Sequence, residues 1–254
     1  MTAQNHLPAP GSDWAFFLDV DGTLIDIAAT PDDIAIDPSV LPTLAQLGEA
    51  AGGALALISG RPLSDLDRLF APLNLPSAGL HGLERRNGEG KVFRPSKPDD
   101  GIKEIVDGMH EFARRTPGVL VEDKGFTAAI HFRGAPEEEI AVLRLAEGLL
   151  AAAGGDLHIQ NGKMVVEIKP AGADKGSVIE AFMTEFPFAG RNPVFIGDDA
   201  TDEDGFAAVN RLGGHSIRVG CEAATTARWC VATVDELLAW LFAAPTAMQA
   251  SAPA

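Results

Sequence analysis

Asp19 and Asp21 stand one residue apart at the end of an apolar run, residues 14–20, and are followed at once by Gly22 and Thr23. Two carboxylates so placed straddle the end of a strand, and Gly22 lets the backbone turn sharply behind them. Such a pair repels itself unless a cation separates its members or one of them carries a proton. A second acidic cluster, Gly197-Asp198-Asp199-Ala200-Thr201-Asp202, follows another apolar run at 193–196. Ligands of open α/β sheets collect outside the carboxyl ends of the strands. Two acidic clusters at two such ends make an oxygen-only site of the kind that suits Mg²⁺.

Two further segments fit the same site. Ser59-Gly60-Arg61 lies between the apolar run 54–58 and a helical pattern, where a hydroxyl and backbone N–H groups suit a phosphate oxygen. Lys175 opens a helical pattern beside Gly176 and Ser177. A lysine at a helix start opposes the dipole, so it needs another reason to be there, such as pairing with carboxylates and phosphate. Each segment alone has a plain alternative: an Asp-rich turn, a helix cap, a solvated lysine. Arg61 suits a phosphate or a carboxylate equally.

These residues need strand ends to hold them, and the chain supplies a matching alternation. Apolar runs without polar alternation at 14–20, 54–58, 77–81, 193–196 and 216–219 predict parallel strands covered on both faces. Helical spacing fills 38–51, 62–70, 175–186, 202–212 and 234–242. Residues 83–94 carry Asn87-Gly88, a hairpin signal. Between these regions the pattern changes. Helices over 98–115 and 137–153 each precede a strand pair, 119–122 with 127–132 and 157–160 with 164–168, the second turning at Asn161-Gly162. Ile140, Leu143, Leu145 and Leu149 mark the apolar side of the second helix. The expected organisation is an α/β core, residues 1–94 and 171–254, interrupted by a small α+β domain at 95–170. Residues 1–13 read as a loose arm and 245–254 as a frayed tail. Trp240 and Phe242 read as core.

Asp19–Thr23, Ser59, Lys175 and the segment beginning at Gly197, in this order, resemble the four motifs of the haloacid-dehalogenase superfamily of aspartyl-phosphate enzymes. The interval from Asp19 to Ser59 is too short for a domain, whereas that from Ser59 to Lys175 holds the inserted one. Five segments are similar to the trehalose-6-phosphate phosphatase family: Ile58–Arg61, Gly79–Glu84, Glu122–Lys124, His131–Arg133 and Gly197–Glu203. The resemblance implies a Rossmann-like parallel-sheet core with an inserted cap. It also implies a Mg²⁺-dependent phosphatase acting on trehalose 6-phosphate, with cap residues Glu122, Lys124 and Glu167 on the sugar. Glu122 and Lys124 otherwise read as a solvated ion pair, Glu167 as an edge charge, and His81 and His131 as structural histidines.

The chemistry then expected has Asp19 as nucleophile and Asp21 as general acid and base. The acid role needs a raised pKa, for which neighbouring carboxylates are the expected source. Metal is expected on Asp19, the Asp21 carbonyl and Asp198, the phosphoryl oxygens on Ser59 and Lys175, and orientation from Asp199 and Asp202. Rival readings are a phosphatase for sucrose 6-phosphate or a mannosyl phosphate, a phosphoacceptor signalling domain, and an inactive binding module. A signalling domain has no use for a general acid at Asp21, and all four motifs are intact.

Composition narrows the partners. With 46% hydrophobic and 22% charged residues the chain is an ordinary globular protein. Its net charge of −16 disfavours nucleic acid and anionic membrane. Cys221 and Cys230 form no CxxC pattern, so they read as small buried residues rather than a disulfide scaffold. No apolar run approaches the ~18 residues of a membrane span, and no basic leader precedes one. The expectation is a cytoplasmic monomer that takes a small sugar phosphate.

Overall fold

The computed structural model describes residues 7–26, 36–222 and 224–251. The chain divides into two compact units, one of residues up to Arg94 and from Asp174 onward, the other Pro95–Ala173. In chain order the first unit begins with β1 (Trp14–Leu18), α1 (Val40–Ala50), β2 (Leu55–Ile58), α2 (Leu63–Leu69) and β3 (Ser77–Gly79). A 3₁₀ turn, Leu80–Gly82, then leads to β4 (Glu84–Arg86) and β5 (Val92–Phe93). The second unit follows with α3 (Ile102–Ala113), β6 (Leu120–Asp123), β7 (Ala128–His131), α4 (Glu139–Ala153), β8 (Leu157–Gly162) and β9 (Val165–Pro170). The first unit resumes with α5 (Lys175–Phe182), β10 (Asn192–Gly197), α6 (Glu203–Arg211), β11 (His215–Val219), β12 (Trp229–Val231) and α7 (Val234–Ser251).

The large sheet has the order β12-β11-β10-β1-β2-β3-β4-β5. Strands β12 through β3 run parallel, and β4 and β5 close one edge antiparallel. The chain moves outward from β1 through β2 and β3, then returns at β10 on the other side of β1. Right-handed crossovers in opposite directions put helices on both faces, with α1 beside α7 and α5 beside α6. Strands buried on both faces need unbroken apolar runs, and Phe16, Phe17, Leu18, Leu57, Phe195 and Ile196 are fully buried. The place where strand order reverses, between β1 and β10, is where such sheets bind ligands. Asp19 and Asp198 both emerge there.

The second unit is an antiparallel sheet of order β6-β7-β9-β8 with α3 and α4 packed against it. Ile130 and Val166 share its core with Ile105, Met109, Val142 and Ala146 of the helices. Because side chains alternate, the row Glu122, Ala129, Glu167 and Gln160 lies on the opposite face.

Several elements differ from their sequence expectation. The third strand stops at Gly79, because Leu80 and His81 take positive φ of 50° and 55°. The β8–β9 turn is Lys163-Met164 rather than Asn161-Gly162, with Met164 at φ 66°. Helix α7 continues through the supposed tail to Ser251, since Leu237, Leu241, Ala244 and Met248 form one buried stripe at helical spacing; residues 252–254, like 1–6, lie outside the described residues. Phe242 falls off that stripe and is 66% exposed, while Trp240 packs half-buried on the core. Ile140 is exposed at the start of α4. Strand β12 had no sequence signal, being three residues long. It lies beside β11, brings Gly220 N–H to the Val231 carbonyl, and sets Cys221 against Cys230 in a disulfide. The reading of both cysteines as small buried residues outside any disulfide is corrected: β12 brings the pair together, and Cys221 is exposed. No helix among the described residues is long and apolar enough to cross a membrane.

At the far end of the sheet the His215 ring is flanked by Trp14, centroids 4.3 Å apart, and Trp229, at 5.0 Å. Burial, and then the charge of Arg228, push its pKa below the usual histidine value, against a weaker opposite pull from Asp13. The folded chain therefore binds a proton here less readily than the unfolded chain, whose value is about 6.5. The stability it contributes is full above that value and falls as pH drops toward the lower folded value. Between pH 7.5 and 5, wild-type protein should lose more stability than His215→Phe, measured by urea denaturation; parallel losses would show that His215 does not titrate this way.

Candidate active site

Asp19 follows β1 directly, and its backbone N–H donates to the Ile196 carbonyl at 2.9 Å, which ties it to β10. Its carboxylate is buried. Oδ1 accepts from Lys175 Nζ at 2.7 Å and Oδ2 from Thr23 Oγ1 at 3.2 Å. The chain then turns tightly: the Val20 carbonyl accepts from Leu24 N–H at 2.9 Å and from Ile25 N–H at 3.1 Å. Gly22 in this turn has φ +82°, and a Cβ there would fall 2.3 Å from Asp198 Oδ2. Only glycine allows both the conformation and the approach of the Asp198 carboxylate.

Lys175 is the first residue of α5, whose start is fixed by a capping box between Asp174 and Ser177. Its Nζ also donates to Asp202 Oδ1 at 2.6 Å. The other Asp202 oxygen accepts the backbone N–H groups of Asp198 at 3.0 Å and Asp199 at 2.9 Å. Asp202 is fully buried and both its oxygens are engaged. Burial alone would lower the Lys175 pKa, but Asp19 and Asp202 outweigh it and hold the ammonium above its usual range. Burial pushes the Asp19 carboxyl well up, Lys175 opposes that, and Asp202 and Asp198 add to the push.

Oxygens of Asp19, Asp198 and Asp202 come within 4.8 Å of one another. Three carboxylates crowd together here, two of them on the Lys175 ammonium, and all the donors are hard oxygens. That set fits a divalent cation such as Mg²⁺. Asp202, committed to Lys175 and two amides, suits the role of orienting the others. Asp199 caps its own turn, accepting from Ala200 N–H at 2.7 Å.

Ser59 follows β2 and is buried, its Oγ accepting from Arg61 N–H at 3.1 Å. Arg61 grips Asp21 with two bonds, Nε to Oδ2 at 2.7 Å and NH2 to Oδ1 at 2.8 Å. Of the two partners open to Arg61, the structure pairs it with a carboxylate. The neighbour that Asp21 touches is thus a guanidinium, not the carboxylates expected around it. Thr23 stood within the first motif, but its hydroxyl bond to Asp19 was not anticipated; position i+4 after an acid that must be held was the available signal.

In the second unit, Lys124 Nζ donates to Glu167 Oε2 at 3.0 Å and lies 3.9 Å from Glu122 Oε2. His131 Nε2 and Glu122 Oε2 share a hydrogen bond of 2.9 Å. Burial would raise the Glu122 pKa, but His131 and Lys124 outweigh it and hold the carboxyl low. Glu167 is buried on an inner strand, so it is no edge charge. The Lys124 side chain is 9% exposed, which is not a solvated pair. The partner of Glu122 that sequence reasoning missed is His131, its diagonal neighbour on β7.

The trehalose-phosphatase family profile matches residues 17–234. A probable trehalose-phosphate phosphatase of Sinorhizobium fredii is 50% identical over 210 residues, covering 82% of this chain and 78% of the relative. The trehalose-6-phosphate phosphatase of Escherichia coli is 45% identical over 242 residues, covering 95% of this chain and 90% of the relative. The solved C-terminal domain of a C. albicans trehalose-6-phosphate phosphatase has the same fold, with a TM-score of 0.83 over 93% of each chain at 20% identity.

The Asp202 contacts yield a stability test. An amide at this position puts its NH₂ against either the Lys175 ammonium or the two backbone N–H groups, so one donor always meets another donor. Asp202→Asn should destabilise the protein by about 3–5 kcal/mol, the scale for breaking a buried ion pair. Chemical denaturation at neutral pH measures this; a loss below about 1 kcal/mol would show that Asp202 is not the anchor of Lys175.

Proposed function

This chain belongs to the trehalose-phosphatase family, and on that premise we propose that it hydrolyses trehalose 6-phosphate to trehalose and inorganic phosphate. The observation that carries the reading is the buried Asp19 carboxylate, held by Lys175 at the switch point of the sheet beside Asp198.

In the proposed mechanism an Asp19 oxygen attacks phosphorus in line, and the bond from phosphorus to the sugar oxygen breaks. Asp21, its side chain 36% exposed, gives its proton to the departing oxygen. It then takes a proton from water, which attacks phosphorus and frees Asp19. Lys175, the Ser59 hydroxyl and the N–H groups of Val20 and Asp21 receive the transferred oxygens. Lys175 keeps its proton throughout, because Asp202 still holds it when Asp19 turns to phosphorus. The carboxylates of Asp19 and Asp198 with the Asp21 carbonyl are the groups that would hold Mg²⁺, and Asp199 and Asp202 would orient them. Bound there, Mg²⁺ supplies charge that offsets the repulsion between Asp19 and the phosphate dianion. The sugar is assigned to the second unit, through Glu122, Lys124 and Glu167. The proposed compartment is the cytoplasm, where a dianionic sugar phosphate is retained because it does not cross a bilayer unaided.

Phosphate release across a panel of sugar phosphates tests the substrate. Trehalose 6-phosphate should exceed sucrose 6-phosphate and mannose phosphates at least ~10-fold in kcat/KM, the discrimination that one well-placed polar contact provides. EDTA should abolish turnover and Mg²⁺ restore it. Preference for another sugar would overturn the substrate, and full activity in excess EDTA would overturn the metal.

Lys124→Ala and Glu167→Ala separate sugar recognition from phosphoryl chemistry. Each removes a charged hydrogen-bond partner worth about 1.5–3 kcal/mol. The loss in kcat/KM on trehalose 6-phosphate should be roughly 10- to 150-fold. An aryl phosphate makes no such contacts and should be hydrolysed almost normally; equal losses on both substrates would assign these residues to stability instead.

A further inference from the structure

Residues 79–84 supply no group to the mechanism above, yet they are interlocked with the loop that follows β2. Leu80 and His81 are consecutive non-glycine residues in the left-handed region, at φ 50° and 55°. That conformation is costly and persists where the surroundings over-determine it. Here they do so. Leu80 N–H donates to the Arg61 carbonyl at 3.0 Å, and His81 N–H donates to the Ser59 carbonyl at 2.9 Å. Glu84 Oε2 accepts Leu63 N–H at 3.0 Å, which secures the far end of the same loop. The buried His81 ring occupies the space that Gly60 leaves open: a Cβ on Gly60 would lie 2.6 Å from His81 Nε2 and 2.7 Å from Cε1.

We propose that His81 is a positioning residue for the reaction, clamping the Ser59–Arg61 loop by its backbone N–H and its ring. The proposal rests on the phosphatase reading of the site. The loop carries two groups the reaction uses. One is the Ser59 hydroxyl, aimed at the phosphoryl oxygens. The other is the Arg61 guanidinium, whose two bonds to Asp21, at 2.7 and 2.8 Å, set where the proton donor stands. Loosening the clamp therefore impairs protonation of the leaving oxygen more than it impairs attack by Asp19, which is held from β1, β10 and α5.

His81→Gly keeps the positive φ without strain and removes only the ring. On trehalose 6-phosphate, kcat/KM, which reports the steps up to departure of the sugar, should fall about 10- to 100-fold, up to the lower end of the roughly 10²- to 10⁴-fold that general acid catalysis contributes. An aryl phosphate, whose leaving group needs no proton, should lose less than about threefold, and the melting midpoint should not fall. Gly60→Ala, which displaces the ring, should give the same selective loss, and in the His81→Gly background it should cost no more than about twofold further. Should His81→Gly not fold, His81→Asn, which also tolerates the left-handed region, carries the same comparison. Equal loss on both substrates, no loss on either, or full additivity of the two substitutions would overturn the proposal. Failure of the substrate reading looks different: wild-type enzyme would then release no phosphate from trehalose 6-phosphate, and the leaving-group comparison would be made between the phosphomonoesters it does hydrolyse.

Discussion

A single ammonium, Lys175 Nζ, donates to two buried carboxylates, Asp19 at 2.7 Å and Asp202 at 2.6 Å. Desolvating any of the three alone costs several kcal/mol. Together they are tolerable, and they join the β1, β10 and α5 ends of the first unit at one point. Asp202 passes the constraint on through the backbone amides of Asp198 and Asp199, so the second acidic loop takes its shape from the lysine. Asp198 adds a third carboxylate to the group. Hard oxygens gathered in this way are the donors that a divalent cation takes.

The motif residues were legible because their chemistry allows few substitutes. An acid that must sit at a strand end beside a tight turn appears as Asp-x-Asp-Gly, and a lysine set against its helix dipole marks an electrostatic debt elsewhere. The partner of Arg61 was not legible, since a guanidinium binds phosphate and carboxylate with the same fork. Only the fold, bringing the loop after β2 beside the turn after β1, decides for Asp21. The disulfide was hidden for a similar reason. A sequence separation of nine from Cys221 to Cys230 says nothing until the parallel pairing of β11 with β12 sets them 5.5 Å apart at Cα. The strand expected over 77–81 failed at Leu80 because no propensity predicts two left-handed non-glycine residues; tertiary hydrogen bonds impose them. The supposed tail after Pro245 was misread because a proline outweighed a stripe of apolar residues that the core goes on to cover.

The second unit divides its labour by the alternation of its strands. Val121, Ile130 and Val166 line one face against the helices, while Glu122, Glu167 and Gln160 fall in one row on the other. Charges gathered there in partly or wholly buried positions do little for stability, because exposed pairs contribute about 0–1 kcal/mol and buried ones repay desolvation at best. Under the proposed function they would serve as fixed donors and acceptors for sugar hydroxyls. The Lys124–Glu167 bond and the His131–Glu122 bond keep that set in place before any ligand arrives.

In the proposed reaction Asp19, not water, first receives the phosphoryl group. The stereochemical course at phosphorus tests it directly. Trehalose 6-phosphorothioate made chiral with ¹⁸O is turned over in H₂¹⁷O, and the configuration of the released thiophosphate is read by ³¹P NMR. Two successive in-line displacements, one by Asp19 and one by water, give net retention, which is the predicted result. Net inversion would mean a single direct attack by water and would contradict the role assigned to Asp19.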